Sequence, residues 1–263
     1  MPWSRLLRGW IARREAAAVA RRPIPDDLWK RTLVRYPFLK RRDPQAAAEL
    51  RRLTSLFLDR KEFDARPGVR LTDDVVVAVA AQACLPVLRL GLDRYHRFVG
   101  IVLHPDQVVA QRSVVDEDGV VHEYEEVLSG EAVEGGPVML SWRDVRTAGQ
   151  SAPDAYNVVI HEFAHVLDMA DGLADGVPLL PPDLPRAQWL EVLEGDYEAF
   201  CRRVHGGDED TALDPYGTSG IDEFFAVASE AFFVAPAAMK AEHPVLYGVF
   251  MRFYRQDPAA ETA

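Results

Sequence analysis

The stretch that decides the fold is NVVIHEFAHVLD, which occupies residues 157–168. Its apolar residues recur with helical spacing, which predicts a largely buried helix over 155–170. On a helix, His161 and His165 are four positions apart and lie on one face, about one turn from each other. Ionisable side chains in an apolar helix need polar partners, and a metal ion is the most economical partner for this pair and for Glu162.

The His-Glu-x-x-His pattern carries its own chemistry. It presents two imidazole nitrogens to one metal ion and sets Glu162 beside them, placed to take a proton from metal-bound water. Zinc lowers the pKa of bound water from 15.7 to about 7, so a hydroxide nucleophile becomes available at neutral pH. With 7 histidines in 263 residues, a shuffled chain would contain the pattern only about 0.01 times. The motif therefore predicts one zinc ion per chain and the minimum equipment for peptide hydrolysis.

A tetrahedral catalytic zinc takes three protein ligands, so one more has to come from elsewhere. No histidine stands six residues beyond the motif, where some zinc peptidases place their third ligand. Five other histidines are candidates by residue type, namely His96, His104, His122, His205 and His243. Their spacing points instead to a carboxylate from a later helix, in the apolar segment 221–233. Glu223 and Glu230 are seven positions apart and share one face of the predicted helix. The pattern alone leaves both open.

Two further residues are candidates for orienting a ligand histidine. Asp168 lies three positions after His165, where it could accept the far N–H of a ligand imidazole, or could be an ordinary polar residue at the helix end. Glu230 could likewise orient a ligand, or could face solvent. Asn157 is a candidate N-cap for the helix.

Outside the motif, the chain divides into helical, extended and again helical parts. Apolar spacing predicts helices over 3–22, 45–59, 73–85, 186–205, 221–233 and 243–256, in addition to the one that carries the motif. Strands are predicted over 98–103, 107–115, 120–127 and 137–142, with a turn at Asp118-Gly119. This order indicates an α+β fold that is mostly helical, with a small, mainly antiparallel sheet before the metal-binding helix.

Charge is unevenly distributed along the chain. Residues 1–42 carry a net charge of +9, and residues 43–263 carry −20. Because nucleic-acid binding needs clustered lysine and arginine, the acidic body argues against a direct nucleic-acid partner. The basic segment 3–22 is either a loosely docked terminus or a helix that touches an acidic partner or a membrane surface.

The composition also indicates a compartment. No segment reaches the roughly 18 apolar residues of a membrane span, and the N-terminus lacks the apolar core of a signal peptide. Cys84 and Cys201 stand in apolar surroundings and are best explained as two reduced thiols. We therefore expect a cytoplasmic protein without membrane association.

Four stretches resemble the MtfA (Mlc titration factor A) family of bacterial zinc peptidases. They are GEAVEGGPVMLSW at 130–142, the NVV lead-in at 157–159, HEFAHVLDMADG at 161–172 and YGTSGIDEFFAVASE at 216–230. The catalytic half is also similar to the peptidase domain of anthrax lethal factor, which shares the HEF-x-H and Tyr-Gly…Glu-Phe-Phe-Ala pattern. The resemblance covers about residues 30–255.

This resemblance implies a zincin-like fold of the gluzincin type and a domain organisation. A single metallopeptidase domain would span 30–258, with a helical and sheet part over 30–150 and a metal-site helical part over 151–258. Residues 1–29 would form a separate basic arm, which the resemblance does not cover.

The resemblance also assigns residue roles. In the shared pattern a tyrosine lies seven residues before the glutamate ligand, and Tyr216 and Glu223 keep that interval. It therefore selects Glu223 over Glu230 as the third ligand. Together with His161 and His165, Glu223 would bind zinc, with Glu162 as general base. Tyr216 would donate its hydroxyl to the developing oxyanion.

The function implied is aminopeptidase-like hydrolysis of a peptide substrate. Members of the family also resemble partners of the glucose repressor Mlc, which they sequester from DNA, so the resemblance implies a link to control of the sugar phosphotransferase system. The alternative is a non-catalytic, repressor-sequestering protein whose fold zinc stabilises. The presence of Glu162 weighs against that alternative, because a structural site needs no base. The Pro-rich segment 172–185 is either an ordinary loop or a gate over the site.

Overall fold

The computed structural model describes residues 3–115, 121–148, 155–208 and 210–260. These residues form mostly helices with a few short strands. In chain order the elements are α1 (Trp3–Arg21), α2 (Asp26–Arg35), α3 (Pro44–Arg60), β1 (Glu62–Ala65), α4 (Asp73–Cys84), β2 (Gly100–His104), β3 (Val108–Val115), β4 (Val121–Leu128), β5 (Gly130–Ala132), β6 (Val138–Ser141), α5 (Trp142–Thr147), α6 (Val158–Asp168), α7 (Arg186–His205), α8 (Ile221–Val234), α9 (Pro236–Glu242) and α10 (Pro244–Tyr254). The α+β class expected from the sequence is confirmed.

The sheet differs from the expectation of a mainly antiparallel one. Its strands lie in the order β1-β2-β6-β5, and it is mixed, because β2 pairs parallel with both β1 and β6 while β5 pairs antiparallel with β6. The antiparallel pair β3 and β4 forms a separate two-stranded sheet, and the predicted turn at Asp118-Gly119 lies outside the described residues. Parallel neighbours arise because the chain passes through α4 between β1 and β2, the kind of crossover that parallel pairing requires.

Helix α6 is fixed in the core by an aromatic cluster. The ring centroid of Phe163 lies 5.7 Å from that of Phe57, 5.0 Å from Tyr95 and 5.3 Å from Phe98. Phe163 is fully buried. The opposite face of α6 carries His161 and its neighbours, so the cluster orients that face away from the core.

Helices α4 and α8 flank α6 and are themselves buried. The apolar run in α4 forms the helix that its sequence predicts. The four phenylalanines of α8 are all buried in the core: Phe224, Phe225, Phe232 and Phe233. Helix α6 therefore lies between two apolar helices, and every polar atom on its inner face has to find a partner among them.

Helix α1 lies on α3 and is held there mainly by charges. Arg21 donates two hydrogen bonds to Asp59, at 3.1 and 2.8 Å. Glu15 accepts from Arg52 and from Arg60, each at 3.1 Å. The predicted helix is thus formed and docked. Among the described residues no helix is long and apolar enough to cross a membrane, and Cys84 and Cys201 are both free thiols.

Candidate metal centre

Asn157 determines where α6 begins. Its backbone is extended, and its side-chain oxygen accepts a hydrogen bond from the N–H of Ile160 at 3.0 Å, as an N-cap does. The motif then follows within the first two turns. His161 and His165 point to the same side, with ring centroids 4.9 Å apart.

Three donor atoms converge beside α6. The Nε2 atoms of His161 and His165 are 3.2 Å apart, and Glu223 Oε2 lies 3.0 Å from the first and 3.4 Å from the second. Ligands bound tetrahedrally to zinc at about 2.0–2.1 Å are about 3.3–3.4 Å from one another. The spacing and chemistry of this set therefore fit a zinc ion, and among the described residues only this trio of His, Cys, Asp or Glu meets the requirement for a metal site.

The electrostatics of the trio also favour a cation. Burial opposes ionisation of Glu223, but the hydrogen bonds to His161 and His165 outweigh it and hold the pKa of this carboxyl below its usual range. Burial likewise opposes a charge on His161, yet hydrogen bonds to Glu223 and Glu230 raise its pKa well above the ordinary value. The imidazole is surrounded by carboxylates, and a positive charge placed among them is stabilised.

Glu162 lies next to the trio and is only 5% exposed. Burial raises the pKa of its carboxyl, while the two histidines partly offset that effect. Strand β5 passes directly over it. A Cβ atom at Gly130 would lie 2.5 Å from Glu162 Oε1, so only glycine leaves room for this carboxylate.

Tyr216 reaches the site from the other side. It belongs to a 3₁₀ helix, Pro215–Thr218, in which its backbone N–H donates to Asp214 Oδ1 at 2.9 Å. Its ring centroid lies 6.1 Å from that of His161, and the side chain is 44% exposed. The structure thus brings together the five residues proposed as metal ligands, base and oxyanion donor.

The two candidates for orienting a ligand behave differently. Glu230 contacts His161, with 2.8 Å between its Oε1 and Nδ1 of the ring. Asp168 does not accept from an imidazole: its Oδ2 accepts from the N–H of Gly176 at 2.9 Å, and its Oδ1 has no hydrogen-bond partner within the described part of the chain. Of the two alternatives for Asp168, the orienting role is wrong and the polar residue at the helix end is what the structure shows, because the chain folds back after α6 and brings the Gly176 amide to the carboxylate.

The segment 172–185 is packed against the helices. The indole N–H of Trp189 donates to the carbonyl of Gly176 at 2.9 Å, and Val177 is buried. Gly176 has φ +73°, and a Cβ there would lie 3.0 Å from the carbonyl oxygen of Ile221. This close approach ties the segment to the start of α8, while its Ala174 lines the cleft over the metal centre.

A family model described as glucose-regulated metallo-peptidase M90 matches residues 9–255. The chain belongs to this M90 family. The match includes all the residues of the trio, Glu162 and Tyr216. It also begins within the basic arm, further toward the N-terminus than the resemblance noted from the sequence.

Individual relatives of this M90 chain agree with the family match. An uncharacterized protein of Synechocystis sp. is 34% identical over 252 residues, covering 95% of the chain and 90% of the relative. The Mlc titration factor A of Pectobacterium atrosepticum is 34% identical and covers 86% of the chain and 85% of the relative. That of Edwardsiella ictaluri is 38% identical over 72% of each. These comparisons confirm the resemblance to the MtfA family.

Two residues at the M90 site were not singled out from the sequence. Gly130 lies in the GEAVEGG stretch, and nothing in its local pattern shows that it faces Glu162. Gln82 is buried in α4, and its side-chain oxygen accepts from Asn157 Nδ2 at 2.8 Å. The sequence does contain a signal for Gln82, because it is a single amide in an apolar helix and such a group needs a hydrogen-bond partner.

Proposed function

We propose that this protein is a zinc-dependent peptidase, aminopeptidase-like in its substrates, in which one Zn²⁺ is held by His161, His165 and Glu223. One observation carries the proposal. The Nε2 atoms of His161 and His165 and the Glu223 oxygen lie within 4.8 Å of one another, and the buried Glu162 carboxylate lies beside them without belonging to the ligand set. A purely structural site gains nothing from a group such as Glu162.

In the proposed mechanism zinc, when bound, polarises the scissile carbonyl as a Lewis acid. Glu162 accepts a proton from the attacking water and delivers it to the departing amine, so that a C–O bond forms as the C–N bond breaks. Burial suits this role because a raised pKa makes the Glu162 carboxylate a stronger base toward the attacking water. Tyr216 donates its hydroxyl to the oxygen on which charge develops.

The peptide substrate lies along β5 in this proposal. Strand β5 is an edge of the four-stranded sheet and borders the cleft that contains His161 and Glu162. An extended peptide can add to such an edge through backbone hydrogen bonds. Since the Gly130 backbone lies against the Glu162 side chain, a peptide paired there is held close to the base.

A protein partner is part of the proposal as well. Several relatives are named Mlc titration factor A, which supports a link to an Mlc-type repressor in the cytoplasm, and the acidic body offers a surface for a basic partner. The same names favour the second candidate function, a non-catalytic protein that sequesters the repressor and uses zinc only for stability.

The deciding experiment compares wild type with Glu162→Gln in metal content and in cleavage of aminoacyl anilides. We expect about one zinc per chain in both proteins, and a loss of activity of at least about 10²-fold in the variant. Glu198→Gln is the matched control, because Glu198 lies on α7 with its side chain 70% exposed, and it should behave as wild type. Activity that survives in Glu162→Gln would refute the mechanism.

The partner is tested separately. Capture of an Mlc-type repressor by immobilised wild type and by Glu162→Gln should succeed equally, which would separate sequestration from hydrolysis. Capture by neither protein would refute the link to the repressor and leave the peptidase proposal standing.

A further inference from the structure

The Glu230 carboxylate divides its two oxygens between a histidine and a helix end. Oε1 lies 2.8 Å from His161 Nδ1, and Oε2 accepts from the backbone N–H of Asn157. The side chain is 3% exposed. Most buried polar groups have hydrogen-bond partners, and here one partner lies in the helix that carries the motif and the other is its N-cap.

Asn157 extends these contacts to a third helix. While its Oδ1 caps α6 through Ile160, its Nδ2 donates to Gln82 Oε1 at 2.8 Å. Gln82 Nε2 donates in turn to the carbonyl of Ala78 at 3.0 Å. Gln82 and Asn157 are fully buried. The result is a hydrogen-bonded chain Gln82–Asn157–Glu230–His161 that crosses α4, α6 and α8 without a gap.

Every bond in this chain has a fixed direction. The Ala78 carbonyl can only accept, so Gln82 must turn its oxygen toward Asn157. Asn157 must then donate through Nδ2 and cap α6 through Oδ1. Glu230 Oε1 lies 2.8 Å from His161 Nδ1, so this nitrogen is the one placed to donate, and a ring that gives its other nitrogen to a metal keeps its proton on Nδ1. That leaves His161 Nε2 as the atom that faces His165 and Glu223.

We propose that Gln82, Asn157 and Glu230 are positioning residues that hold the His161 imidazole with Nδ1 protonated and Nε2 directed at the metal. This inference rests on the proposed zinc site and goes beyond it, because it assigns a role to an amide on a separate helix. Carboxylates that accept the second N–H of a ligand histidine fix its orientation and its basicity. Here the carboxylate is itself fixed by the N-terminus of the same ligand's helix.

The test is the zinc dissociation constant of the full-length chain, measured by competition with a chelator. Glu230→Gln can keep only one of the two acceptor oxygens, and we expect zinc to bind about 10–100-fold more weakly. Gln82→Met leaves Asn157 Nδ2 without its acceptor, and we expect zinc binding weakened by about threefold to tenfold.

The matched control is Ser229→Ala. Ser229 is buried on α8 next to Glu230, but its hydroxyl bonds to the Phe225 carbonyl and the Tyr254 hydroxyl, at 2.8 and 2.7 Å. Its loss should lower the melting temperature and leave the zinc dissociation constant within twofold of wild type. A general loss of packing would weaken zinc binding in all three variants alike, and that outcome would overturn the proposal.

The double variant Gln82→Met/Glu230→Gln distinguishes a connected chain from two independent effects. Either substitution alone already breaks the hydrogen-bonded chain. We therefore expect the double variant to lose less zinc affinity than the product of the two single losses. A loss equal to the product would remove Gln82 from the proposal. If wild type binds zinc and Glu230→Gln binds it equally well, this inference fails alone; if wild type binds no zinc, the proposed function fails with it.

A measurement on wild type covers the case in which a variant does not fold. Nitrogen-15 spectra of the zinc-loaded protein should show His161 with a protonated Nδ1 and a metal-bound Nε2. The reversed assignment, with metal on Nδ1, would overturn the proposal without any substitution.

Discussion

Helices α1 and α6 are held in place by opposite means. Helix α1 has 19 residues and α6 has 11. The longer helix is attached to α3 largely by ion pairs of Arg21 and Glu15 at the surface, and its Trp10 is 55% exposed. The shorter one has nine buried residues, and among them Asp168 accepts a hydrogen bond from the buried N–H of Gly176.

The length of a helix therefore does not determine how firmly it is held. Exposed ion pairs contribute roughly 0–1 kcal/mol each because water and salt screen them. Buried apolar groups contribute more, and buried polar groups demand their partners. We therefore expect α1 to tolerate changes that α6 does not, and the following predictions test that expectation.

The largest effect is expected for Phe163→Ala. It removes the ring that packs on Phe57, Tyr95 and Phe98, and it should lower the free energy of unfolding by ~3–5 kcal/mol. Urea denaturation measures the change. Val19→Ala is the control on α1, where the side chain is only partly buried, and equal losses in the two variants would refute the contrast.

A pH-dependent effect is expected from Asp168. Burial raises the pKa of its carboxyl to about 7, whereas an unfolded chain has a value of about 3.9. The folded state therefore binds the proton more tightly, and this group's contribution to stability falls as the pH rises from about 4 to about 7. Asp168→Asn cannot ionise and still offers an oxygen to Gly176, so its stability relative to wild type should rise by ~1–3 kcal/mol between pH 5 and pH 8.

Thermal unfolding across pH measures the Asp168 effect. Asp171→Asn provides the control, because this aspartate is exposed at the end of the same helical segment. Parallel stability curves for wild type and Asp168→Asn would show that the carboxyl at 168 titrates alike in the folded and unfolded chains.

Gly130→Ala should reduce activity more than stability. Its Cβ would lie 2.5 Å from Glu162 Oε1 and would displace the proposed base, so we expect peptide cleavage to fall by about 10–100-fold with zinc retained. Gly195→Ala, on α7 with no atom near its Cβ position, should leave cleavage unchanged. Wild-type kcat in Gly130→Ala would contradict the role given to Glu162.

The smallest effect is expected for Glu15→Ala. It breaks the ion pairs with Arg52 and Arg60 and should lower the free energy of unfolding by less than ~1 kcal/mol. The loss should shrink further at high salt, where screening weakens such pairs in wild type too. A loss above ~2 kcal/mol would mean that α1 is held by more than its charges.

Sequence reasoning succeeded for the fold where the pattern is long. Helices α3 and α7 appear within one residue of their predicted ends because their apolar spacing continues over four or more turns. It failed for β1 and β5, which have 4 and 3 residues and too few positions to show a period. It also predicted the wrong sheet type, since pairing depends on which strands meet in space.

For the candidate site, the limit was distance along the chain. His161 and His165 are four positions apart, so helical geometry alone brought them together. Glu223 is 62 positions from His161, and the pattern left it equal with Glu230 until the family resemblance selected it. Gln82 is 75 positions from its partner Asn157, and only the packed structure shows that they meet.

These separations along the chain determine when the site can assemble during synthesis. Both carboxylates that contact the His161 ring belong to α8, 62 and 69 residues further along the chain. Since the chain is synthesised from the N-terminus, α6 is made before either partner exists. A nascent or truncated chain that stops ahead of residue 221 contains the whole HEFAH sequence and neither of these carboxylates. The order of synthesis thus delays assembly of the centre until α8 has been made.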